Sequence, residues 1–572
     1  MSISKFNIHA GFTAYKCVTV NELESLLEKS YKTEGGIFAL CSRGSLKAII
    51  NHTEYRIRTN ELIALPPESF IQLLAVSDDL EMHTVMFSQQ LIQNAGMGKN
   101  MMDKFYVIGK HYVFPLSEVA STLYAEMFTF LSHLYKEIGE KLSEAVSQSF
   151  LSLMLQGVSE LCPEQAKLIE TPGSRHFQQY RIFVRMVHED YVREHQVAYR
   201  HFAPTTGYGY DDVGRDTLEK IFAELFGTQA AIVRPQIASG THAISLCLFG
   251  LVLPGDDIVS ATGMPYDTLQ DIIGWGEGDA PVGSLREMGV SFHPVALRDG
   301  KIDLDAVENA ITPKTKLVIA QRSRGYDWRP SLMPEEFAPL AKMLHEKHPG
   351  VRLMVDNCYG EFVCEKEPSH YGADVCVGSL IKNPGGGLAP TGGYIVGTQE
   401  AIERIAYRLT APGIGLEVGS YAASYQPFYQ GLFMAPHTVA QAIKTACLAA
   451  RVFEILGMTT TPAADEPRAD IIQAIQMRTP ERLVAFCQGI QMASPIDSMA
   501  LPEPWDMPGY NDQVVMAAGT FVAGASIELS ADAPMREPYT AYMQGGLTYT
   551  HGRIALQMAL NRMVEQGALT LK

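Results

Sequence analysis

The chain is poor in the features that would commit it to a membrane, a metal or a nucleic acid. No run of about 20 apolar residues occurs, and Met1-Ser2-Ile3-Ser4-Lys5 lacks the apolar core of a leader. No CxxC pair occurs among nine scattered cysteines. The closest group, Cys358, Cys364 and Cys376, lacks zinc-ligand spacing, so no metal is expected. An odd, scattered set reads as reduced thiols in a cytoplasmic protein. Positive charge is also scarce. Lys and Arg number 46 against 63 Asp and Glu, and a net charge of −17 argues against broad nucleic-acid or anionic-membrane binding. No GxxxxGK[ST] is present, so Gly385-Gly386-Gly387 is not a nucleotide phosphate loop. Tyr208-Gly209-Tyr210 has neither GxGxxG spacing nor a preceding strand.

What is present is a long globular chain. Its 572 residues exceed one ordinary domain, and 47% hydrophobic against 19% charged content supports packed cores. Residues 1–112 read as β-rich. Ile37 to Cys41 is a short apolar strand, Ser45 to Asn51 and Glu54 to Arg58 look like a hairpin, and Ile71 to Val76 and Met82 to Phe87 continue the spacing. A small jelly-roll sandwich or barrel is expected. Residues 113–199 switch to helical spacing. Val119, Leu123, Met127, Phe130, Leu131 and Leu134 would form one apolar face, and Leu142, Val146, Phe150, Leu151 and Leu155 a second. From residue 200 to 400 apolar strands alternate with helices. Ala230 to Val233, Ile258 to Ser260, Val290 to Val295, Leu317 to Ala320 and Leu353 to Val355 are buried-strand candidates, which predicts an α/β domain with a mainly parallel sheet covered on both faces. Residues 401–572 mix a helix from Val439 to Leu456 with short strands, as a smaller C-terminal α+β domain.

The chemistry centres on Gly378-Ser379-Leu380-Ile381-Lys382-Asn383-Pro384-Gly385-Gly386-Gly387. A lysine between an apolar run and a glycine-rich turn, downstream of a strand-end acid at Asp356, fits pyridoxal 5'-phosphate. Lys382 would bond to the cofactor's aldehyde, and Asp356 would hold the pyridine nitrogen protonated. An acid in an apolar setting needs a positive partner, which a pyridinium supplies. The bland alternatives are a loop lysine and a turn-capping Asp. Ser239-Gly240-Thr241 opens a helix whose N–H groups and dipole favour a phosphate, with Ser379 adding a hydroxyl; alone it would be only an N-cap. Tyr266 is the candidate for the ring face, with His242 competing. Tyr208, Tyr210 and Arg215 precede the first helix of the large domain and could reach a phosphate across a dimer. Arg408, Arg468 and Arg536 are candidate clamps for a substrate carboxylate, since a guanidinium binds it through two bonds. Arg322 and Arg324 are further basic candidates.

Two resemblances follow from these stretches. The front region, through Arg43-Gly44-Ser45-Leu46 to Pro66-Pro67 and Met86-Phe87-Ser88, resembles the effector and dimerisation region of AraC-type transcription regulators. Phe177-Gln178-Gln179-Tyr180 through Tyr191 looks like the helix that opens that family's DNA-binding half. The remaining helix-turn-helix is missing, which argues against DNA binding. Residues from about 200 to 572 resemble the pyridoxal-phosphate-dependent methionine γ-lyase-like family, also labelled cystathionine β-lyase-like proteins linked to aluminium resistance. The matching stretches include Thr206 to Asp212, Ser239 to His242, Gln321 to Tyr326, Val355 to Phe362, Ser379 to Gly393 and Pro504 to Tyr510. The resemblance implies a fold-type I architecture and a homodimer or homotetramer. It also implies Lys382 as the cofactor lysine, Asp356 as the ring-nitrogen partner and Tyr266 as the aromatic that assists the leaving group. The expected activity is carbon–sulfur elimination from a small sulfur amino acid. The alternative is a regulator whose enzyme-like half acts as a sensor.

Overall fold

The computed structural model describes residues 12–19, 27, 30–33, 35–50, 53–66, 69–88, 91, 112–138, 142–161, 195–507 and 510–570. The chain forms two compact units, Met1–Pro172 and Gly173–Lys572. The stretch from Phe177 to Tyr191, expected to open a DNA-binding half, lies outside the described residues, as does Pro508-Gly509.

The first unit contains strands β1 (Phe12–Thr19), β2 (Ser30–Lys32), β3 (Gly35–Arg43), β4 (Ser45–Ile50), β5 (Thr53–Arg58), β6 (Glu61–Leu65), β7 (Phe70–Val76), β8 (Glu81–Ser88) and β9 (Val113–Pro115). They form two antiparallel sheets, ordered β1-β8-β3-β6-β9 and β2-β7-β4-β5. The expected hairpin is β4 against β5, in register from Ser45↔Arg58 to Ile50↔Thr53. Period-two alternation builds both cores at once. Ala39 and Cys41 of β3 meet Leu46, Ala48 and Leu73 of the other sheet. Phe38 and Leu40 point the opposite way, toward helices α1 (Glu118–Ile138) and α2 (Glu144–Leu161). The buried face of α1 differs from the expected one. Val119, Leu123 and Phe130 are exposed, and Ala120, Tyr124, Phe128 and Leu131 are buried. The adjacent stripe brings two aromatic rings into the core, and large rings gain most from burial.

The second unit carries a seven-stranded sheet of β10 (Ala230–Arg234), β11 (Asp257–Ser260), β12 (Ser291–Pro294), β13 (Thr315–Gln321), β14 (Arg352–Asp356), β15 (Val375–Ser379) and β16 (Gly393–Gly397). The order is β10-β16-β15-β14-β13-β11-β12. β16 alone runs against its neighbours; the other pairings are parallel. Helices α3 (Val213–Leu225), α4 (Gly240–Leu251), α5 (Asp267–Ile273), α6 (Leu304–Ala310), α7 (Ala338–Lys347), α8 (Gln399–Leu409) and α9 (Gln426–Ile455) accompany this sheet. Leu353 and Val355 of β14 join one apolar cluster with α3, α7 and α9, while Met354 joins another with α4, α5 and α8. The sheet is therefore buried on both faces, as near-continuous apolar strands require. Strand β12 departs from expectation: it lies at the sheet edge and its side chains are partly exposed. α9 also starts earlier than Val439, because it continues through Pro436. A second, antiparallel sheet completes the unit, ordered β17-β18-β21-β20-β19, from β17 (Thr460–Thr461), β18 (Ile472–Gln476), β19 (Val514–Ala517), β20 (Ser530–Pro534) and β21 (Thr540–Gln544). Helices α10 (Pro480–Met492) and α11 (Tyr549–Glu565) pack on it. Among the described residues no helix is long and apolar enough to cross a membrane.

Candidate active site

A cavity of about 380 Å³ opens at the carboxyl ends of β13, β14 and β15, where open α/β sheets bind ligands. Adjacent strands end on Gln321, Asp356 and Ser379, and all three line it. Ser239, Gly240, Thr241 and Tyr266 close one side, and Lys382 projects into it.

Lys382 follows β15 and precedes a tight turn over Asn383–Gly385. The Asn383 amide donates to the Tyr359 and Glu361 carbonyls, both at 2.9 Å, which ties this turn to the loop after β14. Gly386 has φ +55°, and a side chain there would meet the Gly431 carbonyl of α9 at 2.4 Å, so only glycine fits. The Lys382 amine donates to the Gly524 carbonyl at 2.7 Å and to the Ser526 hydroxyl. It lies 5.1 Å from the Tyr359 ring centroid. Burial lowers its pKa, with Asp532 opposing.

Asp356 is 8% exposed. It accepts the Cys358 N–H at 3.2 Å. Among the described residues no cation pairs with it, and burial pushes its carboxyl up to about 6. α4 begins at Gly240 with Ser239 as N-cap, its hydroxyl accepting the His242 N–H at 3.0 Å. A side chain at Gly240 would meet the Cys358 sulfur and the Ser379 Cβ, each at 3.3 Å. The glycine lets this helix start pack closely on the ends of β14 and β15, where its N–H groups favour an anion. Tyr266 hydrogen-bonds Thr241, and burial followed by Asp356 raises its phenol well above the usual range.

The remaining sequence candidates stand apart. His242 does not line the cavity; its Nδ1 accepts the Ala238 N–H at 3.0 Å. Tyr208 and Tyr210 are 71% and 62% exposed, their rings 5.5 Å apart. Arg215 is buried, donating to the Gly209 carbonyl at 2.7 Å and to Asp216. Arg408 donates to the Phe249 carbonyl at 2.9 Å, and Arg468 bonds Gln473. Arg536 pairs with Asp512 at 3.1 Å and donates to the Tyr326 carbonyl at 3.2 Å. None of these three arginines lines the cavity. Arg322 pairs with Glu367 at 2.8 Å, and Arg324 donates to the Thr461 carbonyl at 3.0 Å.

Sequence reasoning missed a whole wall, namely Tyr326, Tyr359, Ser526, Asp532, Tyr542 and Gln544. Ser526 lies 144 residues beyond Lys382, and no local pattern joins them. Arg329 was also missed. It donates to the Gln321 and Ser323 carbonyls behind the cavity, and burial lowers it to about 10.

Residues 163–564 match the family model for methionine gamma-lyase. The chain belongs to the methionine gamma-lyase family. That family comprises carbon–sulfur lyases whose cofactor is pyridoxal 5'-phosphate. The chain is 53% identical over 375 residues to the uncharacterized protein YnbB of Bacillus subtilis (strain 168), covering 65% of this chain and 89% of that protein. It is similar to the crystal structure of a carbon-sulfur lyase involved in aluminum resistance from Clostridium novyi NT. The TM-score is 0.63 at 39% identity, over 82% of this chain and all of that one. L-methionine gamma-lyase of Pseudomonas putida is 28% identical over 202 residues, 35% of this chain and 45% of that enzyme.

The residues fit the family's cofactor. Among the described residues Asp356 is a buried carboxyl that makes no ion pair and feels only the more remote charge of Arg329, the Gly240 helix start offers N–H groups to an anion, and the Lys382 amine shares their cavity.

Proposed function

We propose that the chain is a pyridoxal-phosphate-dependent lyase that eliminates a thiol from a small sulfur-containing amino acid, at Cβ or Cγ. One observation carries this reading. An amine of lowered pKa, a buried acid lacking a cation and a helix N-terminus converge on one cavity. The bound cofactor supplies an electron sink that acidifies the substrate's Cα proton.

Each residue then has a task. Asp356 would hold the ring nitrogen's proton, and the ion pair would relieve its buried charge. Ser239, Gly240, Thr241 and Ser379 bind the phosphate through N–H groups and hydroxyls. Lys382 would hold the cofactor through its amine. That amine, its pKa lowered by burial, is the group that would take the substrate's Cα proton. Gly524 and Ser526 fix where the amine rests. Tyr266 would lie against the cofactor ring, and its phenol, whose pKa burial raises, would donate a proton to the departing sulfur. The C–S bond breaks, sulfur leaves as thiol, and water converts the remainder to a 2-oxo acid and ammonia.

The exposed pair Tyr208 and Tyr210, anchored through Gly209 by Arg215, supports completion of a neighbouring subunit's phosphate site in a homodimer or homotetramer. His242 supports α4 from its first turn. Of the three clamp candidates, Arg536 bonds the carbonyl of Tyr326, a residue of the cavity wall. The two sheets and paired helices of the first unit support an AraC-like effector region. The acid-rich chain with buried thiols supports a cytoplasmic setting.

The test is turnover by the cofactor-loaded protein on methionine, cystathionine, cysteine and homocysteine. Stoichiometric thiol and 2-oxo acid from at least one is expected, and the oxo acid's chain length distinguishes β- from γ-elimination. Absence of both products from all four would sink the reading.

A further inference from the structure

The cavity holds a second carboxyl that the chemistry above does not use. Asp532 on β20 is 8% exposed and lines the wall built by the small sheet. Its Oδ2 accepts from the Gln544 amide of β21 at 2.8 Å, and Tyr326 hydrogen-bonds it. Among the described residues, Lys382 supplies the only cation lining the cavity, and neither arginine nor histidine does so. The lysine amine donates to Gly524 and Ser526, and among the described residues Asp532 makes no ion pair, although the Lys382 charge acts on it.

Besides Tyr266, four tyrosines share the cavity with Asp532, namely Tyr326, Tyr359, Tyr510 and Tyr542. The Tyr326 ring centroid lies 5.7 Å from that of Tyr510 and 5.4 Å from that of Tyr542, and Tyr359 already faces an ammonium at 5.1 Å. Tyrosine rings clustered beside a buried carboxyl are a composition that suits an organic cation. A neutral thioether would leave this carboxyl with hydrogen bonds but no ion pair, which disfavours it relative to a cationic analogue.

We propose that Asp532, with Tyr326, Tyr510 and Tyr542, forms a subsite for a positively charged side-chain group, so that the preferred substrates are sulfur amino acids carrying a cation at or beyond the sulfur. Ammonium and sulfonium groups share this chemistry. The inference rests on the lyase reading for the word substrate, but the binding preference can be measured without turnover.

Lys382→Ala protein loaded with cofactor is titrated in a calorimeter with four amino acids. S-(2-aminoethyl)cysteine carries an ammonium and S-propylcysteine is its neutral counterpart; S-methylmethionine carries a sulfonium and methionine is its neutral counterpart. At least one cationic member should bind roughly 10- to 100-fold tighter than its counterpart. Whichever pair shows the preference identifies the cation. Adding Asp532→Asn, which keeps the shape and the hydrogen-bonding oxygen, should reduce the ratio to about one and leave the neutral affinities unchanged. No preference in either pair, no binding at all, or an equal loss for cationic and neutral ligands with Asp532→Asn would overturn the subsite. A cation preference in binding, combined with no product from any of the four on the Lys382-intact enzyme, would instead sink the lyase reading and leave the subsite standing.

Discussion

Replacing Asp356 by Asn should stabilise the cofactor-free protein while crippling the loaded one. The carboxyl titrates at 3.8 in its ordinary state and at about 6 in the fold, because burial disfavours its charge. The folded form therefore holds the proton more tightly than the unfolded chain. Its contribution is neutral below the ordinary value, becomes a penalty as pH rises from 4 to 6, and is constant above that. The difference between the two values corresponds to about 3 kcal/mol at pH 7. Asparagine removes the charge and keeps an oxygen to accept the Cys358 N–H. Urea unfolding of the cofactor-free proteins should therefore show Asp356→Asn more stable by about 3 kcal/mol at pH 7.5, with the gap closing toward pH 4. With cofactor bound the order reverses, because wild type gains an ion pair and Asp356→Asn does not. Refutation would be an Asp356→Asn protein that is less stable without cofactor, or a gap that does not change with pH.

Other changes separate the remaining roles. Tyr266→Phe keeps the ring and removes the proton; kcat should fall about 100-fold or more with little change in KM. The loss should be flat from pH 6 to 9, since the phenol is protonated throughout, and a pH-dependent loss would contradict this. Gly240→Val places side-chain atoms against Cys358 and Ser379, so cofactor titration should show affinity weakened by about 10-fold or more. Unchanged affinity would move the phosphate elsewhere.

The parts of the site legible in the sequence are those written in short-range signals. A strand ending on Asp356, an N-cap at Ser239 and a lysine before a glycine turn each require only a few neighbouring residues. The wall carrying Ser526, Asp532 and Gln544 returns from the small sheet, and nothing near Lys382 announces it. Arginines are the least legible. Charge marks Arg408, Arg468 and Arg536 as clamp candidates, and none of the three lines the cavity, though Arg536 bonds the carbonyl of Tyr326, which does. Periodicity also misled where two stripes competed, as on α1, where Tyr124 and Phe128 rather than Leu123 and Phe130 enter the core. A proline usually marks a helix start, so Pro436 concealed the first turns of α9. The mainly parallel sheet was readable from alternating elements, whereas reversal of β16 depends on pairing across the chain.

The central claim is that Lys382 is the residue that bonds the cofactor. The most direct measurement is borohydride reduction of the loaded protein, followed by digestion and peptide mass mapping. The reduced pyridoxyl mass should appear on the peptide containing Lys382 and vanish, with the absorbance near the visible edge, in Lys382→Ala. The label on another lysine, or its survival in Lys382→Ala, would contradict the account.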